Sequence, residues 1–355
     1  MLQLNSTKNN FDFLRLLFSI FVVITHSYFF TGFGEKDLLN NLTDGQTTFS
    51  YLGVRGFFVI SGYLIFQSMQ RSSSFQSYLW KRFLRLFPAL FIALLLTVCL
   101  GFFVYDGSFL KYINNRAVWT YLPCNLSLYN LQYGITGVFD GDTINGSIWT
   151  IRYEFSFYII LSLFFLFRKK QKFTTVFLLC LFCILFLGKF YFFEKIGSFG
   201  IRFCNSISLN LGLFFIAGSL LASLKIEQMK FRFVVGFISI ILLVFSFYHH
   251  YFFFSQFLLL PLMVILFGIS TTKFVHSISH SIGDISYGIY IYSFPIQRTL
   301  VYYFEFNFFT LMIVSLLLSI IFGFLSWNII EKWVLKFKSS SMANFFIKTK
   351  PIMTI

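Results

Sequence analysis

Charge is what this 355-residue chain has least of: 12% of its side chains are charged, and only 13 residues are acidic. With 57% hydrophobic residues, 56 of all residues being phenylalanine, there is too little polar surface to cover a water-exposed fold, so a soluble globular protein is excluded. Cysteine is also sparse, five in all. Cys180 and Cys183 share an apolar run with no further ligand types nearby, which argues against a metal or redox pair and for packing in the core. Cys124 and Cys204 fall in segments read as exterior; a disulfide there is open, but sequence does not make them neighbours. No internal repeat, soluble domain or long linker is visible. The first apolar run lacks a small-residue cleavage site and contains Asp12, so it reads as a retained helix and not as a secretory signal.

What is present is a series of apolar runs, and the mean hydropathy is +0.77. Taking about 20 apolar residues per crossing, ten spans are expected, at roughly 11–30, 51–69, 87–105, 148–167, 173–193, 207–224, 233–250, 254–271, 285–304 and 308–328. The fold class is all-α, a polytopic membrane bundle. The net charge of +15 does not point to nucleic acid, because the basic residues lie in short clusters between the spans. With the N-terminus inside, 19 of the 28 basic residues fall on the cytoplasmic side and seven opposite, which sets both termini cytoplasmic. The transmembrane domain is taken as 1–338, with a short cytoplasmic tail at 339–355. The long exterior loop near 106–147, with Asp140 and Asp142, is where a polar substrate would approach. Asn41, Asn125 and Asn145 each open a formal N-glycosylation triplet.

Charges inside the spans carry the functional signal. In "FDFLRLLFSIFVVITHS", Arg15 and His26 are eleven positions apart, which at about 100° per residue is roughly three full turns. They share a helix face with Asp12 and Ser19, a polar seam that should face protein. Arg15 belongs to the cytoplasmic end and His26, about 16 Å further on, to the outer half. In "GSIWTIRYEFSFYI", Arg152 and Glu154 enter the membrane a few residues after a polar loop. Glu154 and His26 lie at matching depth, so either the carboxylate orients the imidazole or each makes a structural contact between helices. "YLWKRFLRLFPAL" places Arg82 and Arg85 on one cytoplasmic face, suited to phosphates of a ligand or of lipid head groups. In "GVRGFFVISGYLIF", Gly53, Gly56, Ser61 and Gly62 are small residues that let helices approach closely, or else line a pocket.

Together these stretches resemble the acyltransferase 3 family of integral-membrane acyltransferases, over essentially the whole hydrophobic chain. "DFLRLLFSIFVVITH" is similar to its opening basic residue and histidine, and "GVRGFFVISGYLI" to its second span. "KRFLRLFPAL" is similar to its Arg-x-x-Arg motif, and "GSIWTIRYEFSFYI" to its Trp-x-x-x-x-Glu-x-x-Phe-Tyr span, with Trp149 and Glu154 in register. "ISYGIYIYSFPI" and "IIEKWVLKFK" resemble its closing pattern. Ser293 stands where many members have histidine, and Trp333 where many have proline; the hydrolase-like soluble domain of some larger members is not seen.

The resemblance implies transfer of an acyl group, most often acetyl, from acetyl-CoA or another acyl-CoA on the cytoplasmic side to a hydroxyl of a surface glycan or lipid-linked oligosaccharide, without a metal. It implies a bacterial cytoplasmic (inner) membrane enzyme among membrane lipids. Arg82 and Arg85, helped by Arg15, are then expected at the donor phosphates, His26 as general base, and Glu154 orienting it. Asp12, Ser61, Trp149 and Arg152 are expected around the pocket. A covalent acyl-imidazole relay, transfer of succinyl or of acetyl to an amine, and a glycolipid flippase are the alternatives; against the last, the intramembrane charges concentrate in the first half of this chain with no counterpart in the second, unlike the inverted repeats common in transporters.

Overall fold

The computed structural model describes residues 9–191, 205–272 and 283–339. Cys204 and nearly all of the 339–355 tail lie outside them. Among the described residues there is no strand, only an isolated bridge between Tyr105 and Val138. The described residues form ten long helices: α1 (Phe11–Tyr28), α2 (Phe49–Arg71), α3 (Phe75–Val104), α4 (Trp149–Ser162), α5 (Gln171–Tyr191), α6 (Ser206–Ser223), α7 (Arg232–Tyr248), α8 (Phe252–Gly268), α9 (Ser286–Tyr303) and α10 (Phe308–Ser326). With short extensions, seven of them, α1 to α6 and α10, are long and apolar enough to cross a membrane; α7 and α8 are shorter and apolar. The protein is therefore an all-α polytopic membrane protein.

Polar side chains start several of these helices. Thr48, Ser74 and Asn307 each accept the amide three residues on, opening α2, α3 and α10, and Asn205 with Ser208 forms a reciprocal capping box on α6; each such cap contributes about 1 kcal/mol. The cap at Ser74 explains the largest departure from the expected spans: α3 begins twelve residues before the predicted 87. Lys81, Arg82 and Arg85 thus lie on the helix, because basic side chains at a helix end can reach polar surroundings without breaking it.

The packing is that of a helix bundle in lipid, where large apolar side chains point outward and small ones inward. On α7 the buried residues are Ser239, Leu243 and Ser246, while Phe237, Ile241 and Phe245 are exposed. On α10 the buried stripe is Leu311, Ser315, Ser319, Gly323 and Ser326. Cys180 and Cys183 are exposed on α5, which corrects the expectation of core packing; a thiol behaves as a small hydrophobe, and lipid accommodates it equally well.

Helices α2 and α6 are the most buried of the seven and pack backbone to backbone. A Cβ on Gly62 would stand 1.9 Å from the Phe215 carbonyl oxygen, and one on Gly218 2.1 Å from that of Val59. Against α1, Gly53 meets the Phe18 carbonyl oxygen and Gly56 makes room for the Phe18 ring. The small residues of "GVRGFFVISGYLIF" are thus packing residues, with Ser61 alone turned to the site. Beyond α1, buried Asp37 accepts the Thr25 hydroxyl (2.6 Å) and the amides of Asn40 (2.9 Å) and Phe49 (2.8 Å), fixing the connection into α2.

The loop between α3 and α4 folds back over the bundle. Arg298 of α9 holds Asp142 at 2.5 Å. Asn125 and Asn145 are both buried, so neither offers its triplet for glycosylation; Asn41 is exposed.

Candidate active site

A cavity of about 580 Å³ runs between α1, α2, α3, α4 and α9. Along α2 it is lined by Val54, Phe57, Ser61, Leu64, Ser68 and Arg71, spaced three or four residues apart and hence on one face. From Val54 to Arg71 the helix rises about 25 Å, most of a hydrocarbon core of about 30 Å. The cavity is therefore a lengthwise slot.

One end is strongly basic, with Arg15, Arg71, Arg82, Arg85 and Lys338 in its wall. All five come from segments that the charge count assigns to one side. Two are tied down. Arg85 donates to Asp284 and, at 3.4 Å, to Glu331; Arg15 donates to Asp284 at 3.0 Å and to Asp12 at 3.2 Å. Asp284 also accepts from the Ser286 hydroxyl at 2.6 Å. Burial alone would raise the Asp284 carboxyl, but Arg85 and Arg15 outweigh it and hold it down to about 2, as opposite charges at contact distance do. Arg82 differs: its Nη2 donates to Ser68 at 3.2 Å, its guanidinium stands 5.9 Å from the Tyr158 ring centre, and its buried Nε has no hydrogen-bond partner.

Midway along the slot, Glu154 of α4 accepts from Tyr158 one turn on and from Ser61 of α2 at 3.3 Å, and the Ser61 and Tyr158 hydroxyls are 3.0 Å apart. Glu154 is thus bonded to a hydroxyl pair and not to His26, among the described hydrogen bonds. That corrects the expected carboxylate–imidazole contact: equal depth did not mean equal direction, since Glu154 turns toward α2 and its own Tyr158.

His26 lies outside the slot's wall. It is half-buried, its Nδ1 is sealed from solvent without a hydrogen-bond partner, and its ring meets Phe294 edge-on at 5.2 Å. Phe294 also packs on Phe30 and against Gly146, where a Cβ would stand 2.6 Å from the ring. Tyr290, one turn before Phe294 on α9, does line the slot, and its ring meets Phe57 at 5.8 Å. The imidazole therefore sits one helical turn past the slot's far end. Ser293 does not replace a histidine there: it is buried and donates to the Tyr290 carbonyl at 3.2 Å.

Of the other expected residues, Asp12 and Ser61 line the slot, while Trp149 and Arg152 do not. Trp149 packs edge-on to Tyr153 at 6.0 Å, and Arg152 donates to the Tyr153 hydroxyl at 2.6 Å. The sequence reading missed Tyr158, Asp284, Glu331 and Lys338 as site residues. Tyr158 carried a signal, its i+4 spacing from Glu154. Glu331 and Lys338 lie in the closing motif without anything to mark their partners. Among the described residues no cluster of metal-ligand type occurs.

The acyltransferase 3 family model, described as an acyltransferase domain, matches residues 8–328. An O-acetyl transferase of Shigella phage Sf6 is 28% identical over 339 residues, covering 92% of this chain and 95% of that protein. Nodulation protein 10 of Rhizobium leguminosarum bv. viciae is 36% identical over 169 residues, 43% of each. No solved structure matches. A match spanning nearly every helix that walls the slot makes this polytopic membrane protein an acyl-group transferase, and the chain belongs to the acyltransferase 3 family.

Proposed function

We propose that the protein is an O-acetyltransferase of the bacterial cytoplasmic membrane, taking acetyl from acetyl-CoA on the cytoplasmic side and delivering it to a hydroxyl of an extracytoplasmic glycan or lipid-linked oligosaccharide such as O-antigen, capsule or exopolysaccharide. The observation that carries this reading is the lengthwise slot, basic at one end and ending one turn short of a histidine. An acyl-CoA is chemically a matching object, anionic at one end with a long neutral arm that holds the thioester at the other. Its phosphates would lie at the basic end and its arm along Ser61, Tyr158 and Glu154. The name of the phage relative, an O-acetyl transferase, supports oxygen as the acceptor atom.

In the reaction, His26 takes the proton of the acceptor hydroxyl as that oxygen attacks the thioester carbonyl. The new carbon–oxygen bond forms, the carbon–sulfur bond breaks, and the CoA thiolate recovers the proton from the imidazolium. The unpartnered Nδ1 is consistent with an imidazole whose partner arrives with substrate. Holding the donor in the slot with its thioester toward His26 would supply orientation, which is worth several kcal/mol of barrier.

The test is deletion of the gene, complementation with wild type or His26→Ala, and proton NMR of the purified surface polysaccharide. Acetyl signals should vanish on deletion, return with wild type and stay absent with a well-expressed His26→Ala. An unchanged acetyl spectrum after deletion would overturn the reading.

A further inference from the structure

The basic end of the slot holds five cations, but they are not equivalent. Arg15 and Arg85 are neutralised by Asp12, Asp284 and Glu331. Among the described residues, no ion pair engages Arg71, Arg82 or Lys338, although all three line the same cavity. We propose that Arg71, Arg82 and Lys338 together form the subsite for the donor's phosphates, and that Arg15 and Arg85 are wall-building residues held away from it. The inference rests on the acyl-CoA reading above and says which side chains meet the nucleotide.

The three cations come from three segments. Arg71 is the last residue of α2, Arg82 lies two turns into α3, and Lys338 belongs to the turn Leu335–Ser339 after α10. That turn is held on α3, where the Trp80 indole donates to the Phe337 carbonyl at 3.4 Å. Like charges brought together with no carboxylate in contact with them repel one another, and a multiply charged anion between them relieves that repulsion. Arg82 is built for such a guest: Ser68 takes one nitrogen and the buried Nε is left unpaired, ready for the two-pronged contact that guanidinium makes with phosphate. Arg71 is exposed at the mouth and would meet the outermost phosphate first. Arg85, with two carboxylates on its guanidinium, has no such capacity.

The test uses the purified full-length protein in phosphatidylcholine nanodiscs, with binding of CoA, adenosine 3′,5′-bisphosphate and the phosphate-free S-acetylpantetheine followed by ligand-observed NMR. Arg71→Gln and Lys338→Gln should each weaken CoA and the bisphosphate by about tenfold, the scale of one charge-assisted hydrogen bond. S-acetylpantetheine should bind as to wild type, and Lys338→Arg should restore CoA affinity. Unchanged CoA affinity in both glutamine variants would overturn the subsite while leaving the acyl-CoA reading intact, as would an equal loss for S-acetylpantetheine, which would make the residues structural. An effect seen only after phosphatidylglycerol is added, with CoA binding untouched, would assign the cations to lipid head groups. Failure of wild type to bind either CoA or the bisphosphate would instead remove the donor reading itself.

Discussion

Arg85 and Asp284, 199 residues apart in the chain, are hydrogen-bonded at the basic end of the slot, and Asp284 takes a second bond from Arg15. One carboxylate thereby ties α1 and α3 to the start of α9. It sets the shape of the entrance by joining three helices that short-range sequence does not connect.

Replacing that charge should loosen the entrance. Asp284→Asn keeps the shape but leaves Arg15 with Asp12 alone and Arg85 with Glu331 alone, a loss of about 3 kcal/mol for a broken buried pair. The expected drop in melting temperature in detergent is roughly 5–10 °C. The carboxyl sits at about 2 against an ordinary 3.8, so its charged form stabilises the fold at neutral pH. That contribution is complete above about pH 4 and is lost as the pH falls toward 2. The wild type should therefore lose melting temperature over this acid range more steeply than Asp284→Asn, and parallel curves would refute the clamp.

A second expectation concerns Pro295, which sits inside α9 and cannot donate to Ile291 four residues back. The Asn145 side chain fills that vacancy, donating to the Ile291 carbonyl at 3.1 Å while accepting the Ser147 amide at 3.0 Å. Asn145→Ala should cost about 1–3 kcal/mol by stranding buried polar groups. In a Pro295→Ala background, where the helix regains its own donor, the same change should cost measurably less. Additive melting shifts in the double mutant would show that the two sites are not coupled.

Tyr158→Phe tests the middle of the slot. The ring is retained and only the hydroxyl that donates to Glu154 and meets Ser61 is removed. Catalytic efficiency in an acetyl-transfer assay should fall about tenfold, equivalent to one hydrogen bond to a charged group, with little change in melting temperature. Wild-type turnover would mean that Glu154 and its partners are scaffold.

The helices and the family were legible in the sequence because they depend on local features: apolar run length and motif order. The partners of Arg85 were not, because Glu331 lies 246 residues away and no periodicity links them. Depth along a helix was readable for His26 and Glu154, but the direction of Glu154 depended on Ser61 of α2, a tertiary fact. Cys180 and Cys183 were misplaced for a related reason: in lipid, an apolar run does not say which of its faces is buried. Asn145 passed for a loop asparagine, since only the bend at Pro295 gives it a buried acceptor.

The glycine contacts between α2 and α6 have a bearing on which donors the enzyme accepts. Where backbones already touch, as at Gly62 and Phe215, α2 has no room to retreat toward α6, and it is α2 that presents the long wall from Arg71 to Val54. A stiff wall would turn the slot into a gauge for the proposed acyl-CoA donor: with its nucleotide anchored at one end, each carbon added to the acyl group would push its carbonyl or its tail against Phe57 and Tyr290. Selection for a short acyl group would then need no dedicated pocket, only two helices that cannot part.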